Sequence, residues 1–206
     1  MKKMLLLLLL LQFFISSCDN RNFLIETSNK NFEAYKLDFD AKFFDQFPKK
    51  ITSPYTDIIS NTNRRKNDIG LFLYENDVPL NKINQFKQRV LNSAIATYKA
   101  TDTCLLVVNR FETEESYKSF ERVSSIDSLQ IDRDCAIKNY PVPNFISSNY
   151  SATKNKIKLD ESFDIYVFEA KSGNNFPNYT LQPSPQMPKK WGNGYSKGVA
   201  ISEKKK

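Results

Sequence analysis

The chain has 206 residues, which is enough for one domain of ordinary size with a hydrophobic core. Its 30 basic and 23 acidic residues give a net charge of +7. This mild excess lacks the concentrated basic surface of nucleic-acid-binding proteins, so we expect no nucleic-acid partner. The absence of histidine excludes Ser-His-Asp and Cys-His mechanisms and most zinc, copper and non-haem iron sites. We therefore predict neither a metal nor a cofactor.

The chain begins with a pattern typical of export. Lys2 and Lys3 form a short basic start, and the residues from Met4 to Ile15 are apolar except for Gln12. As a helix this run would be roughly 18 Å long, whereas a membrane-spanning helix needs about 20 residues. A basic start followed by a short apolar run predicts a secretory signal peptide over residues 1–17.

The end of this signal indicates its type. Ile15-Ser16-Ser17-Cys18 places an aliphatic and two small residues before a cysteine, and it resembles the lipobox of bacterial lipoproteins. The resemblance implies cleavage before Cys18 and acylation of its thiol and new amino group with fatty acids such as palmitate. Several acyl chains on one residue hold a protein durably on a membrane. The alternative is an ordinary signal peptide with a cysteine nearby by chance.

A lipobox also implies a location. The protein would be a cell-envelope lipoprotein on the cell membrane or the outer membrane, facing the periplasm or the cell exterior, with the membrane as one partner. Without Lys2 and Lys3 the processed chain keeps 28 basic and 23 acidic residues, a net charge of +5. This charge allows contact with anionic lipid headgroups or glycans without demanding it.

The chain after the signal divides into a tether and a domain. Residues 18–31 are polar and lack clear periodicity, which predicts a flexible lipidated tether, and residues 32–206 are predicted to form a single domain. At the start of the domain, Tyr35, Leu37 and Phe39 alternate as in a strand, although the aromatic spacing also fits one face of a helix. We favour a strand there, followed by a short helix from Asp40.

A strand, a helix and a strand come next. Ile69–Tyr74 is a predicted strand, and Pro79–Tyr98 is the clearest amphipathic helix, with Asp77 as its N-cap. Thr103–Asn109 contains a continuous apolar run and is predicted to be a strand. This order over about 40 residues predicts a right-handed βαβ-like unit.

The second half of the chain supplies the remaining elements. A helix is predicted over Glu114–Val123, and a lysine-rich edge strand over residues 154–159. Two further strands are predicted over Phe163–Glu169 and Tyr195–Ser202. The elements together predict an α+β fold in a single domain, with one mixed sheet of about five strands and two main helices.

Two cysteines remain if Cys18 carries lipid. An exported protein enters a compartment in which disulfides form. A bond between Cys104 and Cys135 would close a loop of about 30 residues and stabilise the fold by roughly 3–4 kcal/mol. The alternative is two unpaired thiols, because Cys104 lies in an apolar run where cysteine is commonly buried. We favour the disulfide.

The segment between residues 171 and 194 lacks periodicity and holds four of the nine prolines. Loops of this length are uncommon in a compact domain and are often functional. Phe176, Tyr179 and Trp191 lie beside stiff proline segments that suit recognition of a peptide or a sugar, which makes this a candidate binding loop. The alternative, which we favour, is a crossing loop whose aromatic side chains fold back onto the core.

Two groupings near the C-terminus resemble known sites. Gly192, Gly194 and Gly198 beside Lys197 lack the spacing of a phosphate-binding loop, and we interpret them as a turn into the last strand. Ser196 with Lys197 resembles a serine–lysine pair. Adjacent residues of a strand point to opposite faces, which disfavours that pair.

Carboxylates are the remaining catalytic candidates, because a pair of them hydrolyses glycosides without histidine. Five acidic residues near predicted strand ends are candidates: Glu112, Asp160, Glu161, Asp164 and Glu169. The sequence does not bring any two of them across a cleft, so we assign no catalytic residue.

These observations favour a membrane-anchored lipoprotein of the cell envelope that binds another macromolecule and is not an enzyme. The lipobox and the missing histidine support this interpretation. A carboxylate-dependent hydrolase of glycan or peptidoglycan is the alternative from another class. A narrower alternative is an immunity-type lipoprotein that neutralises a toxin outside the cytoplasm.

Overall fold

The computed structural model describes residues 20–63, 68–108, 133–145, 159–176, 183 and 187–204. Several predicted features lie outside these residues: the signal peptide, Cys18, Glu112, the helix Glu114–Val123, the lysine-rich strand 154–159 and Tyr179. The chain divides into two compact units. Unit 1 comprises Met1–Ser60 and Leu71–Asn76, and unit 2 comprises Asn61–Gly70 and Asp77–Lys206. We predicted one domain over residues 32–206, and the two units subdivide that range.

Unit 1 is organised around a helix, α1, described over residues 20–36. Phe32 on α1 is fully buried, and its ring centroid lies 5.9 Å from that of Phe47. Asn29 joins α1 to the chain that follows. Its side-chain amide donates to the Ile51 carbonyl at 2.9 Å, and its side-chain oxygen accepts from the Ile51 amide, also at 2.9 Å. These paired bonds hold a polar residue at the core-facing side of the helix.

Helix α1 occupies residues for which a flexible tether and the start of a strand were predicted. Residues 20–31, predicted as flexible tether, are helical, and so is the first part of the predicted strand Tyr35–Phe39. The helix is followed by a 3-10 helix over Ala41–Phe43, close to the short helix predicted from Asp40. The asparagine-rich stretch lacks strong helix propensity, so α1 depends on its tertiary contacts, which the local pattern does not reveal.

Two strands form a separate hairpin sheet. β1 covers Thr56–Asn63 and β2 covers Asp68–Glu75, and they pair only with each other among the described strands. The predicted strand Ile69–Tyr74 lies within β2.

The described part of unit 2 contains one longer α-helix, one short α-helix and five further strands after β1 and β2. In chain order these are α2 (Leu80–Ser93), β3 (Ala96–Lys99), β4 (Leu106–Val107), α3 (Arg133–Lys138), β5 (Pro141–Val142), β6 (Phe163–Lys171) and β7 (Tyr195–Ser202). β3, β6 and β7 form an antiparallel sheet with β6 in the middle, and β4 pairs in parallel with β5. The α+β class is confirmed.

The core of unit 2 lies on both faces of β6. On one face Ile165 and Val167 pack with Leu105 and Val142. On the other face Tyr166 packs with Val90 of α2 and with Ile201. Because successive strand residues alternate between faces, a run of apolar residues in β6 can fill two core clusters at once.

The predicted βαβ-like unit takes a different form. The order strand, helix, strand is present, but β2 and β3 belong to different sheets, and the parallel pair is β4 with β5. Helix α2 ends at Ser93 instead of Tyr98, because the following residues pair with β6: the Ile95 amide donates to the Val167 carbonyl at 2.8 Å. Asp77, predicted as the N-cap, lies in a left-handed turn at φ 54° and does not cap the helix.

Cys104 and Cys135 form a disulfide between the turn before β4 and helix α3, with their Cα atoms 5.4 Å apart. Hydrogen bonds hold the Cys104 backbone on both sides. Its amide donates to the Asp102 carboxylate at 2.7 Å, and its carbonyl accepts from the Asn139 side chain at 2.8 Å. The bond therefore joins segments that are already positioned side by side.

Among the described residues, none of the helices is both long enough and apolar enough to cross a bilayer.

We predict that replacing Cys104 and Cys135 together with serine lowers the free energy of unfolding by about 3–4 kcal/mol, since a cross-link 31 residues apart restricts the unfolded chain. Urea unfolding of the two proteins measures this difference. A thiol count on the denatured, unreduced protein should detect neither cysteine. Two reactive thiols in that count, beyond any at Cys18, would contradict the disulfide.

Candidate functional site

A group of charged side chains in the described part of unit 2, joined by two ion pairs, lies on paired residues of β6 and β7. Glu169 faces Lys197 across the two strands, and Lys171 faces Tyr195. Directly opposed residues of an antiparallel pair project to the same face. A register shift between Val167 and Glu169 inserts one additional residue into β6 and so brings the carboxylate opposite Lys197. We call these four residues the Glu169 cluster.

In the Glu169 cluster, each carboxylate oxygen has its own ammonium partner. Lys171 binds Oε1, and Lys197 Nζ lies 2.8 Å from Oε2. Lys197 is only 8 % exposed, whereas Lys171 lies at the surface. A buried ammonium requires a charged or hydrogen-bonding partner, because losing its hydration is costly. Glu169 is therefore the residue that allows Lys197 to be inside unit 2.

The same contacts determine the protonation of the cluster. Hydrogen bonds from Lys171 and then from Lys197 lower the pKa of Glu169 from 4.5 to about 2. Burial, followed by the hydrogen bond with Glu169, raises the pKa of the Tyr195 hydroxyl. At neutral pH Glu169 thus carries no proton to donate, and both of its oxygens are engaged. This is the opposite of a general acid in glycoside hydrolysis, whose pKa must be raised.

The second carboxylate of β6, Asp164, is also bound by lysines. Lys99 of β3 contacts Oδ1, and Lys87 of α2 lies 3.3 Å from Oδ2. Lys87 also lies 2.5 Å from Glu203. Burial alone would raise the pKa of Asp164, but the hydrogen bonds from Lys99 and Lys87 outweigh it, so the pKa lies below its ordinary value. Asp164 therefore joins α2 to the sheet by charge.

Asp160 and Glu161 are exposed, and Glu112 lies outside the described residues. Asp160 accepts a hydrogen bond from the Ser162 amide at 3.0 Å in a turn before β6, and Glu161 lies in the same turn. Within the described part of the chain, the carboxylates and cysteines nowhere form a group that could hold a metal ion.

Ser196 and Lys197 point to opposite faces of β7. Ser196 Oγ donates to the Pro141 carbonyl at 2.6 Å, while Lys197 binds Glu169. The serine–lysine pair considered from the sequence is therefore not brought together. Its serine instead joins β7 to β5.

The C-terminal glycines are required by close backbone contacts. A Cβ atom on Gly198 would lie 2.5 Å from the Tyr166 carbonyl oxygen, and one on Gly194 would lie 2.5 Å from that of Lys171. Real Cβ contacts are not this short. Gly194 thus serves the turn before β7, as predicted, whereas Gly198 lies within β7 and serves its packing against β6, so its predicted place in the turn is wrong.

The candidate binding loop is only partly described. Trp191 is 7 % exposed and packs with Leu106 and Met187 in a core cluster, so it is not available to a ligand. Phe176 is half-buried, with its ring centroid 6.1 Å from that of Tyr195. Tyr179 lies outside the described residues. For Trp191 this burial agrees with the favoured interpretation, in which the aromatic side chains fold back onto the core, where a large apolar ring stabilises the packing.

Large apolar side chains remain exposed on each unit. Those of unit 1 are Phe23, Leu24, Leu37, Tyr55 and Ile59. Those of unit 2 are Leu80, Leu91, Ile95, Ile137 and Tyr140. Leu80 and Leu91 are eleven positions apart and so share one flank of α2, beside the face that packs on the sheet.

Comparisons with protein-family models, curated proteins and solved structures found no match to this chain. Its function therefore has to be inferred from its own residues and their geometry.

The feature most easily overlooked in the sequence is Lys197. Lys197 alternates along the strand with Tyr195, Val199 and Ile201, so its side chain lies on the same side as theirs. A lysine at such a position requires a buried acidic partner.

We predict that stability falls as the pH is lowered from 4.5 towards 2. The pKa of Glu169 is lower in the folded protein than in the unfolded protein, so its charged form stabilises the fold at pH values above the unfolded pKa. This stabilisation is lost as the carboxylate becomes protonated in the folded state. The loss should be on the order of 2 kcal/mol, reduced by salt because Lys171 is exposed. Urea unfolding at successive pH values measures it.

The variant Glu169→Gln should be less stable than the parent at pH 7, because a neutral amide replaces the carboxylate that forms an ion pair with the largely buried Lys197. Its stability should also vary less between pH 4.5 and 2. Glu161→Gln, at an exposed carboxylate outside the cluster, is the matched control and should follow the parent. An unchanged acid profile in Glu169→Gln would contradict the assignment.

Proposed function

We propose that this chain is a lipid-anchored protein of the bacterial cell envelope that acts by binding another macromolecule. The observation that carries the proposal is the sequence Ile15-Ser16-Ser17-Cys18 at the end of a short apolar run with a basic start. The proposed anchor is a set of acyl chains on Cys18. The Cys104–Cys135 disulfide is compatible with a compartment outside the cytoplasm.

The chemistry of the described residues supports binding over catalysis. Asp164 and Glu169, the two candidate carboxylates within β6, are each held by two lysines and have lowered pKa values. A glycosidase needs a second carboxyl group that stays protonated near neutral pH, and neither residue meets that requirement. Charge pairs of this kind stabilise the packing of strands and helix.

The exposed flank of α2 supports a macromolecular partner. Leu91, near the C-terminal end of α2, and Leu80, on the same flank of the helix, are each nearly half exposed. Ile95, two residues beyond the end of α2, is exposed to a similar extent. Apolar side chains at a surface are available to a protein partner, which removes them from water on binding.

We predict that the protein recovered from membranes begins at Cys18 and carries the mass of its acyl chains. Cys18→Ser should carry no acyl mass and should not be cut at the same bond, because the lipobox enzymes require the cysteine. Intact-protein mass spectrometry of membrane fractions measures both the site of cleavage and the mass of the acyl chains. Cys104→Ser with Cys135→Ser is the matched control and should keep the acyl mass. A parent protein without acyl mass would overturn the anchor.

We predict that the detergent-purified, lipidated protein releases no sugar or peptide from peptidoglycan above the level of its Asp164→Asn, Glu169→Gln double variant. Chromatography of the soluble products measures release, and thermal unfolding verifies that both proteins are folded. Release by the parent that the double variant lacks would establish the hydrolase instead.

The binding half of the proposal has its own test on native membranes. A photo-crosslinking residue in place of Leu91 should form one discrete adduct with an envelope component. The same residue in place of Gln85, an exposed position on the other side of α2, should not. Equal labelling at the two positions would count against the Leu91 flank as the binding surface.

A further inference from the structure

The first turns of α1 expose two large apolar side chains. Phe23 is 66 % exposed and Leu24 is 48 % exposed. The residues that face the core of unit 1 are Ile25, Asn29 and Phe32. At about 100° per residue, Phe23 lies almost opposite Phe32 and Ile25 on the helix, and Leu24 lies between the two sides. The helix therefore has an apolar outer edge at its beginning, in addition to its core face.

The outer side of α1 is otherwise suited to a membrane surface. The exposed positions aligned with Phe23 are Thr27, Lys30 and Ala34. The single charge among them is positive. Of the remaining charged residues on α1, Arg21 lies about 160° around the helix from Phe23, Glu26 lies one turn from Phe23 and about 60° around, and Lys36 pairs with Glu33 at 2.6 Å. Exposed aromatic and aliphatic side chains on one edge of a helix are suited to insertion into a lipid interface.

Chain length places this edge near the proposed lipid. Residues 20 to 23 are helical and span about 4.5 Å, and two further residues back to Cys18 add at most about 7.6 Å. The Phe23 Cα atom is thus no more than about 12 Å from that of Cys18. The headgroup layer of a bilayer is itself several ångströms thick on each side of the hydrocarbon core. A lipid on Cys18 would hold Phe23 and Leu24 at or just above that layer.

We propose that the beginning of α1 is a second membrane contact, in which Phe23 and Leu24 insert among the lipids at the bilayer interface. This inference rests on the proposed lipid anchor. The lipid supplies lasting attachment, and the two side chains determine how α1 meets the surface. Unit 1 is then held directly on the membrane instead of standing away from it on a tether.

The test uses the full lipidated protein in vesicles of phosphatidylcholine with about one fifth phosphatidylglycerol, in which part of the phosphatidylcholine is brominated. Bromine quenches tryptophan that lies within the bilayer. Three variants each add one tryptophan to the existing Trp191: Phe23→Trp, Leu24→Trp and Asn22→Trp. Asn22 is exposed and equally near Cys18, but it lies about 100° around the helix from Phe23. The parent supplies the Trp191 background for subtraction.

We expect at least twofold stronger quenching of the added tryptophan at position 23 or 24 than at position 22, with emission shifted to the blue. Thermal unfolding verifies that each variant is folded, and mass spectrometry verifies the acyl chains. Acylated protein with equal or weaker quenching at 23 and 24 overturns the membrane contact and leaves the anchor intact. Protein without acyl chains overturns the proposed anchor and, with it, this inference.

Discussion

Strand β6 is buried on both of its faces, and this constraint governs the rest of unit 2. Because Ile165 and Val167 face one core cluster and Tyr166 faces the other, α2 must cover one side and β4 with β5 the other. β3 and β7 complete its backbone hydrogen bonds along both edges. The ion-paired carboxylates Asp164 and Glu169 are consequently found where β6 meets its neighbours.

The charges of β6 follow from that arrangement. Asp164 lies where α2 crosses the sheet, and its lysine partners come from α2 and β3. Glu169 lies beyond the irregularity in β6, and its partners come from β6 itself and from β7. Both carboxylates compensate lysines at packed junctions, so their charge is used in holding elements together. A chain without histidine has few other groups that titrate near neutral pH.

Elements with a strong local pattern could be predicted from the sequence, and elements that depend on distant contacts could not. β7 has the predicted bounds, and β2 and β6 contain the predicted strands, because their apolar residues recur with strand spacing. α1 was missed because its Asn29 is satisfied by Ile51, twenty-two residues away. The end of α2 was misplaced because pairing with β6 competes with helix periodicity at Tyr98. The ion pairs of Asp164 and Glu169 depend on strand register, which no spacing in the sequence specifies.

The Cys104–Cys135 bond has a further consequence when a protease cuts the chain. Any single cut of the main chain between the two cysteines would leave both fragments covalently joined, with α3 still attached beside β4. The two fragments would separate only after reduction. A molecule cut once would therefore keep every residue of the intact one, heavier by one water molecule, until its disulfide is broken.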